Sequence, residues 1–180
     1  MNFELPGVET NSNIEKLFKV VGFIVVQWGM DEQHLDLVVA VIFRRFGGHE
    51  ILNRRPTNLT QKIELLRRCF VEFKELEPFQ AECSTLLTRF AEAGKKRNDI
   101  VHGAIADFSA GDDMFLFSKI DVSPKKNHSI RSVILDNADW PAFRKELLTL
   151  GRDSLSLARR LGDLHWEFHS QGESACAKLP

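Results

Sequence analysis

The stretch Asn13–Trp28, NIEKLFKVVGFIVVQW, decides the fold class because its apolar residues recur at steps of three and four. This spacing places them along one side of an α-helix. The pattern resumes after Gly29 and predicts a single helix to about Arg45, closed by the glycine pair 47–48. Because the middle of this helix is apolar on nearly every side, we expect it to be buried.

A second helix is predicted after the polar connector HEILNRRPTN. Asn58 and Gln61 have the three-residue spacing of a capping pair at a helix start. The apolar residues that follow keep helical spacing, namely Leu59, Ile63, Leu66, Phe70 and Phe73. Pro78 separates this helix from a third, which is predicted from about Phe79 to Ala106.

A β-hairpin is predicted between the third helix and the last one. The segments DDMFLFSKIDV and SIRSVILD are rich in β-branched and aromatic residues, and SPKKNH joins them with turn formers. Asp139, two residues before Pro141, marks the start of the last helix, whose apolar spacing continues to Phe168. We expect the tail, residues 169–180, to fray.

Together these elements predict an all-α fold, an antiparallel four-helix bundle with a small β-hairpin between its third and fourth helices. The 180 residues suit a single domain with a core of about residues 13–168. No internal repeat or linker divides the sequence.

The charge balance limits how the chain can contact nucleic acid. Lys and Arg total 24 against 25 Asp and Glu, a formal net charge of -1. Any such contact must therefore come from a local basic patch, which argues against a protein that coats DNA regardless of sequence. The arginines at helix ends are interpreted mainly as surface cover, and whether some bind phosphate stays open: Arg44, Arg45, Arg54, Arg55, Arg67 and Arg68.

The cysteines and the chain start bear on the compartment. Cys69, Cys83 and Cys176 lack C-x-x-C spacing, which argues against a disulfide framework or structural zinc and fits a reducing cytoplasm. The first two occupy apolar helix positions and are interpreted as core residues rather than nucleophiles. The start, MNFELPGVET, lacks the pattern of a signal peptide, and the longest apolar run is about half of the roughly 20 residues that a membrane span needs. We expect a cytoplasmic protein without membrane insertion.

The stretch Lys95–Gly103, KKRNDIVHG, sets polar side chains into the end of an otherwise apolar helix. On an ideal helix Asn98 and His102 share a face, whereas Arg97 and His102 diverge by about 140°. The long arginine side chain, helped by local loosening near Gly103, can still reach the histidine. The trio suits a phosphodiester, because arginine holds phosphate, histidine moves protons and asparagine fixes geometry. No metal-ligand cluster accompanies the trio, and no cofactor is predicted.

These residues also have plain structural interpretations. Arg97 can be a cation that complements the last helical turn, and His102 can be a helix-capping histidine. Glu32 lies on a largely buried face of the first helix, where an unpaired carboxylate is costly. We expect it to pair with Arg97 or Lys96 and to orient the site, with a purely structural ion pair, or Asp36 in its place, as alternatives.

The helix face that carries Asn98 and His102 continues back to Gly94, Ala91 and Leu87. Small residues let another helix approach closely, and a second copy of the chain is one candidate for that helix. Two copies meeting there would line one cleft with the arginines and histidines of both motifs. The basic residues at its rim, which we expect to contact RNA, are Lys95 and Lys96.

The sequence Arg97–His102, RNDIVH, resembles the R-x(4–6)-H motif of HEPN domains, in which a polar residue, often Asn, follows the arginine. The likeness extends to a first helix with a central Trp28 followed by the acidic Glu32, and to a second helix with QKIELLRRC. It covers about residues 13–168.

The resemblance implies a helical bundle that usually forms a homodimer and, in many members, a metal-independent endoribonuclease. In that reaction the RNA 2′-OH attacks the neighbouring phosphorus and leaves a 2′,3′-cyclic phosphate. Carried over to this sequence, His102 is the general acid or base, Arg97 holds the phosphate and its developing charge, and Asn98 orients the pair. Many bacterial members are toxins in toxin–antitoxin or antiphage systems, often with a nucleotidyltransferase-like antitoxin as partner.

Other members only bind RNA or nucleotide, or act as partners, so a noncatalytic binding or interaction module is the alternative. A dimerisation subunit of a larger complex is a third possibility, which a large exposed apolar patch would indicate. An Arg97 that is partly buried and bonded only within its own protomer would favour the module.

Overall fold

The computed structural model describes residues 12–109, 114–121 and 129–176, and it is mostly helical with one small antiparallel sheet. Helices α1 to α5 are Ser12–Arg45, Gly48–Ile51, Leu59–Glu72, Gln80–Val101 and Asp139–Cys176, and a 3-10 helix, Lys74–Phe79, precedes α4. Strands β1 to β3 are Ala104–Ser109, Met114–Asp121 and Ser129–Leu135. No helix in these ranges is long and apolar enough to cross a membrane.

The starts and ends of the first helices follow local sequence signals. The long helix predicted from Asn13 is confirmed as α1. Gly47 then adopts the left-handed conformation with φ of 78°, which glycine accepts without strain, and it starts the short helix α2 inside the predicted connector. At the start of α3, the Asn58 side chain accepts the Gln61 backbone N–H at 2.9 Å, as the capping pair predicts.

Residues that lie close together in space form two compact units. Among the described residues, the first unit comprises 12–26, 96–109, 114–121 and 129–142, and the second comprises 27–95 and 143–176.

Four helices contact one another within the second unit. The Trp28 ring of α1 packs edge-on against the Phe90 ring of α4, with 6.0 Å between centroids. Asp36 of α1 pairs with the buried Lys62 of α3 at 3.0 Å. The core between them contains fully buried side chains from all four helices, including Leu35, Ile42, Leu66, Leu87, Leu147, Leu150 and Leu157. Trp28 is 3 % exposed, so it is a core residue, as its spacing indicates.

Arg89 of α4 joins that helix to α5 through two carboxylates. Its Nε donates to Glu146 at 2.7 Å, and its Nη1 donates to Asp153 at 2.8 Å. The hydrogen bond to Glu146, followed by that to Asp153, raises the pKa of Arg89, so its charge is held more firmly than usual. Charge-assisted hydrogen bonds of this kind are the stronger class.

The sheet of the first unit has the strand order β1-β2-β3, with both pairs antiparallel. The predicted hairpin corresponds to β2 and β3, but β1 adds a third strand where the helix was expected to continue to Ala106. That prediction is wrong because the chain turns at Gly103. A Cβ there would overlap the Asp99 carbonyl oxygen and lie 3.3 Å from Phe117 Cβ, so only glycine allows this approach between the helix end and β2. The predicted turn SPKKNH lies outside the described residues.

The remaining boundaries concern the last helix. It starts at Asp139, as predicted, and the Phe23 and Trp140 rings of the first unit pack edge-on with centroids 5.5 Å apart. The helix continues beyond Phe168 to Cys176, and residues 177–180 lie outside the described part of the chain.

Candidate functional site

Arg97, Asn98 and His102 meet at the end of α4. The Arg97 Nη1 donates to Asn98 Oδ1 at 2.9 Å and lies 3.4 Å from His102 Nε2. One guanidinium nitrogen therefore contacts both of the other side chains. The structure brings together the three residues that the motif predicts as a site.

The histidine lies directly after the last residue of the helix. The last residue of α4 is Val101, and the backbone N–H of His102 donates to the Asn98 carbonyl at 3.1 Å, which closes the final turn. The long Arg97 side chain spans the divergence of about 140° that an ideal helix implies, as its Nη1 lies 3.4 Å from His102 Nε2. The loosening expected near Gly103 is thus the ending of the helix itself.

The contact also bears on the imidazole of His102. A guanidinium has only N–H donors, so a hydrogen bond between Arg97 Nη1 and His102 Nε2 requires Nε2 as the acceptor. A neutral imidazole is the form that accepts a proton in general base catalysis.

The site is open to solvent on one side and anchored on the other. The Asn98 and His102 side chains are exposed, whereas Arg97 is half-buried. The Arg97 Nε is buried and has no hydrogen-bond partner among the described residues. The guanidinium is thus held by its contacts with Asn98 and His102, and the donor that no described residue uses faces the interior.

An ion pair between a buried carboxylate and a partly exposed arginine links the end of α4 to the sheet. Asp99 is 5 % exposed, and its Oδ1 lies 3.3 Å from the Arg131 guanidinium of β3. Because Asp99 stands between Asn98 and Ile100, this pair holds the backbone that carries the motif. Sequence reasoning did not select Arg131, since a β3 residue has no spacing relation to the helix.

The predicted lysines lie beside the motif. Lys96 Nζ is 3.9 Å from Asp139 Oδ2, a long contact between partly exposed groups that is worth little energy. Lys95 is exposed. Both positions are compatible with contacts to a phosphate backbone, and their RNA-binding role stays a prediction.

The acidic residues proposed to orient the site belong to the second unit. Glu32 is partly exposed, and its pairing with Arg97 or Lys96 stays a prediction. The alternative residue, Asp36, forms ion pairs with two cations through its Oδ1, which lies 3.0 Å from Lys62 Nζ and 3.5 Å from Arg55 Nη2.

Asp31, which sequence reasoning did not select, is the buried acid of α1. It is 0 % exposed, and burial raises the pKa of its carboxyl to about 6, with the hydrogen bond from Gln27 acting in the opposite direction. Its Oδ2 has no hydrogen-bond partner among the described residues. Helical spacing places Asp31 three residues after Trp28 and four before Leu35, so the signal was present.

The small residue Gly94 has a partner within the chain. A Cβ at this position would lie 2.8 Å from Leu59 Cδ2 and 3.1 Å from the Trp28 ring. The helices that approach it are therefore α3 and α1, and the expectation that a second copy packs against Gly94 is corrected. The exposed faces of Asn98 and His102 stay available to a second copy.

The cysteines and other possible metal ligands add no chemistry to the site. Cys69 and Cys83 are buried and unbonded, which confirms them as core residues. Burial raises the pKa of the Cys69 thiol to about 11 and that of Cys83 to about 12, so both are poor nucleophiles. Within the described ranges, no group of three or more His, Cys, Asp or Glu residues has an arrangement that could hold a metal ion.

Comparisons with protein-family models, with characterised proteins and with solved structures found no match to this chain.

Proposed function

We propose that the chain is a HEPN-like, metal-independent endoribonuclease that acts as a cytoplasmic homodimer. The observation that carries the proposal is the contact of Arg97 Nη1 with both Asn98 and His102. The four contacting helices of the second unit are compatible with the antiparallel bundle that this family implies. A role as a toxin or antiphage component, with an antitoxin as partner, belongs to the same proposal.

The proposed reaction uses only the transesterification chemistry of RNA. The 2′-oxygen forms a bond to the adjacent phosphorus while the bond from phosphorus to the 5′-oxygen breaks. The 2′-OH proton passes to a neutral His102, and a proton is delivered to the departing 5′-oxygen, so the products are a 2′,3′-cyclic phosphate and a 5′-OH. Arg97 would hold the non-bridging oxygens, where negative charge develops, while Asn98 keeps the guanidinium in position.

A homodimer would provide a second imidazole. One His102 can remove the 2′-OH proton, and the partner's copy, entering the cycle protonated, can donate to the leaving oxygen. The Asn98 and His102 side chains are exposed in a single copy, which supports a composite cleft with Lys95 and Lys96 at its rim.

The alternative is a noncatalytic module that binds RNA, nucleotide or a protein partner. It is favoured by the half-burial of Arg97 and by its hydrogen bond to Asn98 of the same chain, since such an arrangement can serve helix capping alone.

The test is cleavage of total RNA in EDTA by the wild type and by three variants. We expect His102→Ala to abolish cleavage. Arg97→Lys, which keeps the charge but loses the two-pronged donor, should cut at least about tenfold more slowly, roughly the loss of one charge-assisted hydrogen bond. His49→Ala, which removes an exposed histidine of the second unit, is the matched control and should cleave like the wild type.

The termini of the products identify the chemistry. A 2′,3′-cyclic phosphate formed by the wild type and by His49→Ala, but not by His102→Ala, would support the enzyme. Equal cleavage by His102→Ala would contradict the catalytic role of that residue. RNA binding without cleavage by any of the four proteins would favour the module.

A further inference from the structure

A basic cleft lies in the second unit, between the connector that follows α2 and the first turns of α3. Its volume is about 510 Å³, within the range of about 300–1,000 Å³ that is usual for small-molecule sites. Three arginines line it, Arg54, Arg55 and Arg68, against one carboxylate, Glu64. Three positive charges and one negative leave the lining with a charge of +2 in a chain whose formal net charge is -1.

Two of the cations in and beside the cleft share one carboxylate. Asp36 Oδ1 lies 3.0 Å from the Nζ of Lys62, which is 5 % exposed, and 3.5 Å from the Arg55 guanidinium. The buried lysine fixes Asp36, and Asp36 in turn positions Arg55 at the cleft. Because the single negative charge of Asp36 pairs with the two positive charges of Lys62 and Arg55, a net positive charge remains at this point.

The other two arginines are more available. No carboxylate of a described residue forms an ion pair with Arg54, whose side chain is exposed. Arg68 contacts Glu72 one turn along α3 at 3.4 Å, an exposed pair of the kind that contributes little. An anion with several oxygens could therefore bind both guanidinium groups without displacing a strong internal partner.

The remaining lining supplies an apolar wall and neutral hydrogen-bonding groups. Leu52, Pro56 and Leu65 provide the apolar surface, and Thr57 and Gln61 provide a hydroxyl and a carboxamide. The first turn of α3 borders the cleft, and the partial positive charge of a helix start favours an anion there.

We propose that this cleft binds the phosphate of a nucleotide, with Arg54 and Arg68 holding the phosphate oxygens, Arg55 supporting them, and the apolar wall receiving the base or sugar. The nucleotide can be free or part of an RNA strand, because both present the same phosphate and ring. The proposal does not depend on the ribonuclease, since none of these residues belongs to the motif at the end of α4.

The test measures binding to the His102→Ala protein, so that cleavage cannot remove the probe. Calorimetry compares 5′-AMP with adenosine, which lacks the phosphate, and fluorescence anisotropy follows a labelled 12-nucleotide single-stranded RNA. The cleft variant is Arg54→Ala combined with Arg68→Ala. The control is Arg44→Ala combined with Arg45→Ala, which removes the same charge from exposed positions at the end of α1.

We expect 5′-AMP to bind at least about tenfold more tightly than adenosine. The cleft variant should lose at least about tenfold in its affinity for 5′-AMP, whereas the control variant should bind 5′-AMP as tightly as the parent protein does. Binding of 5′-AMP that is lost in the cleft variant would identify a free nucleotide as the ligand. No binding of 5′-AMP, with RNA binding that depends on the cleft arginines, would identify an RNA strand.

Three results would overturn the proposal: no binding of either probe, equal binding of adenosine and 5′-AMP, or equal losses in the cleft and control variants. Thermal unfolding of both variants checks that the exposed substitutions leave the fold intact. Cleavage assays on proteins with an intact His102 judge the ribonuclease separately, so failure of one proposal is distinguishable from failure of the other.

Discussion

The substitution Asp31→Asn should stabilise the protein at neutral pH and have little effect at acidic pH. Asp31 is fully buried and accepts one hydrogen bond, from Gln27 at 2.8 Å, while its Oδ2 has no partner among the described residues. Two other groups surround it, the His34 imidazole of α1 and Gly151 of α5, whose approach leaves no room for a Cβ. Asparagine keeps the acceptor for Gln27 and removes the buried charge.

The magnitude follows from the pKa of Asp31. Burial raises it from 3.8 to about 6, so the folded protein binds the proton more tightly than the unfolded chain does. The contribution of Asp31 to stability is then greatest below about pH 4 and falls as the pH rises from about 4 to 6, because its ionisation is harder in the folded state. At 1.36 kcal/mol for each pH unit, the full cost above pH 6 is about 3 kcal/mol, which sets the largest gain that Asp31→Asn can bring.

Urea unfolding followed by tryptophan fluorescence at pH 7.5 and pH 4.0 measures this difference. We expect the variant to be about 1–3 kcal/mol more stable than the wild type at pH 7.5 and nearly equal to it at pH 4.0. Glu32→Gln, at the next and partly exposed position, is the matched control for the loss of one carboxylate. A gain of the same size at both pH values, or a loss at pH 7.5, would refute the reasoning; repeating the pair in a His34→Gln background separates any contribution of the imidazole.

Two further predictions concern packing in the second unit. Gly151→Ala should destabilise the protein by about 1–3 kcal/mol, because its methyl group would overlap a buried carboxylate of α1. Gly162→Ala on the same helix has room and should be neutral or up to about 1 kcal/mol stabilising. Urea unfolding measures both variants, and equal effects would contradict this packing. In a Cys176→Ser background, Cys69 and Cys83 should not react with Ellman's reagent at pH 8 until urea unfolds the protein. Thiols with pKa values of about 11 and about 12 are ionised in about one molecule in a thousand or fewer at this pH. Rapid reaction of the native protein would show that these thiols are accessible.

Most helical elements could be predicted from the sequence because their signals are local. The three- and four-residue spacing from Asn13 identifies α1, and the Asn58–Gln61 pair identifies the start of α3. Both depend on side chains within one or two turns of each other. The packing partner of Gly94 could not be predicted in this way, because a small residue shows that something approaches but not which helix does.

Asp31 shows a different limit of the sequence reasoning. Its position continues the stripe of Ile24, Trp28, Leu35 and Val38, all of them buried. Charged residues are rarely buried without a partner, so composition favours exposure where spacing favours burial. Only the contacts with α5 decide between them, and those contacts join residues more than a hundred positions apart.

Strand β1 was missed because its signal is not local. Ala104 follows Ile100 at helical spacing, so the sequence pattern carries the helix on, whereas β1 exists because its backbone pairs with β2, as Ala104 does with Ser118. That pairing requires the chain to leave the helix at Val101 and to turn at Gly103 against Phe117. His102 therefore lies where α4 gives way to the turn, and its Nε2 is 3.4 Å from the guanidinium of Arg97, which lies within the helix. The pairing of β1 with β2 thus sets the point at which α4 ends, directly beside the three side chains of the candidate site.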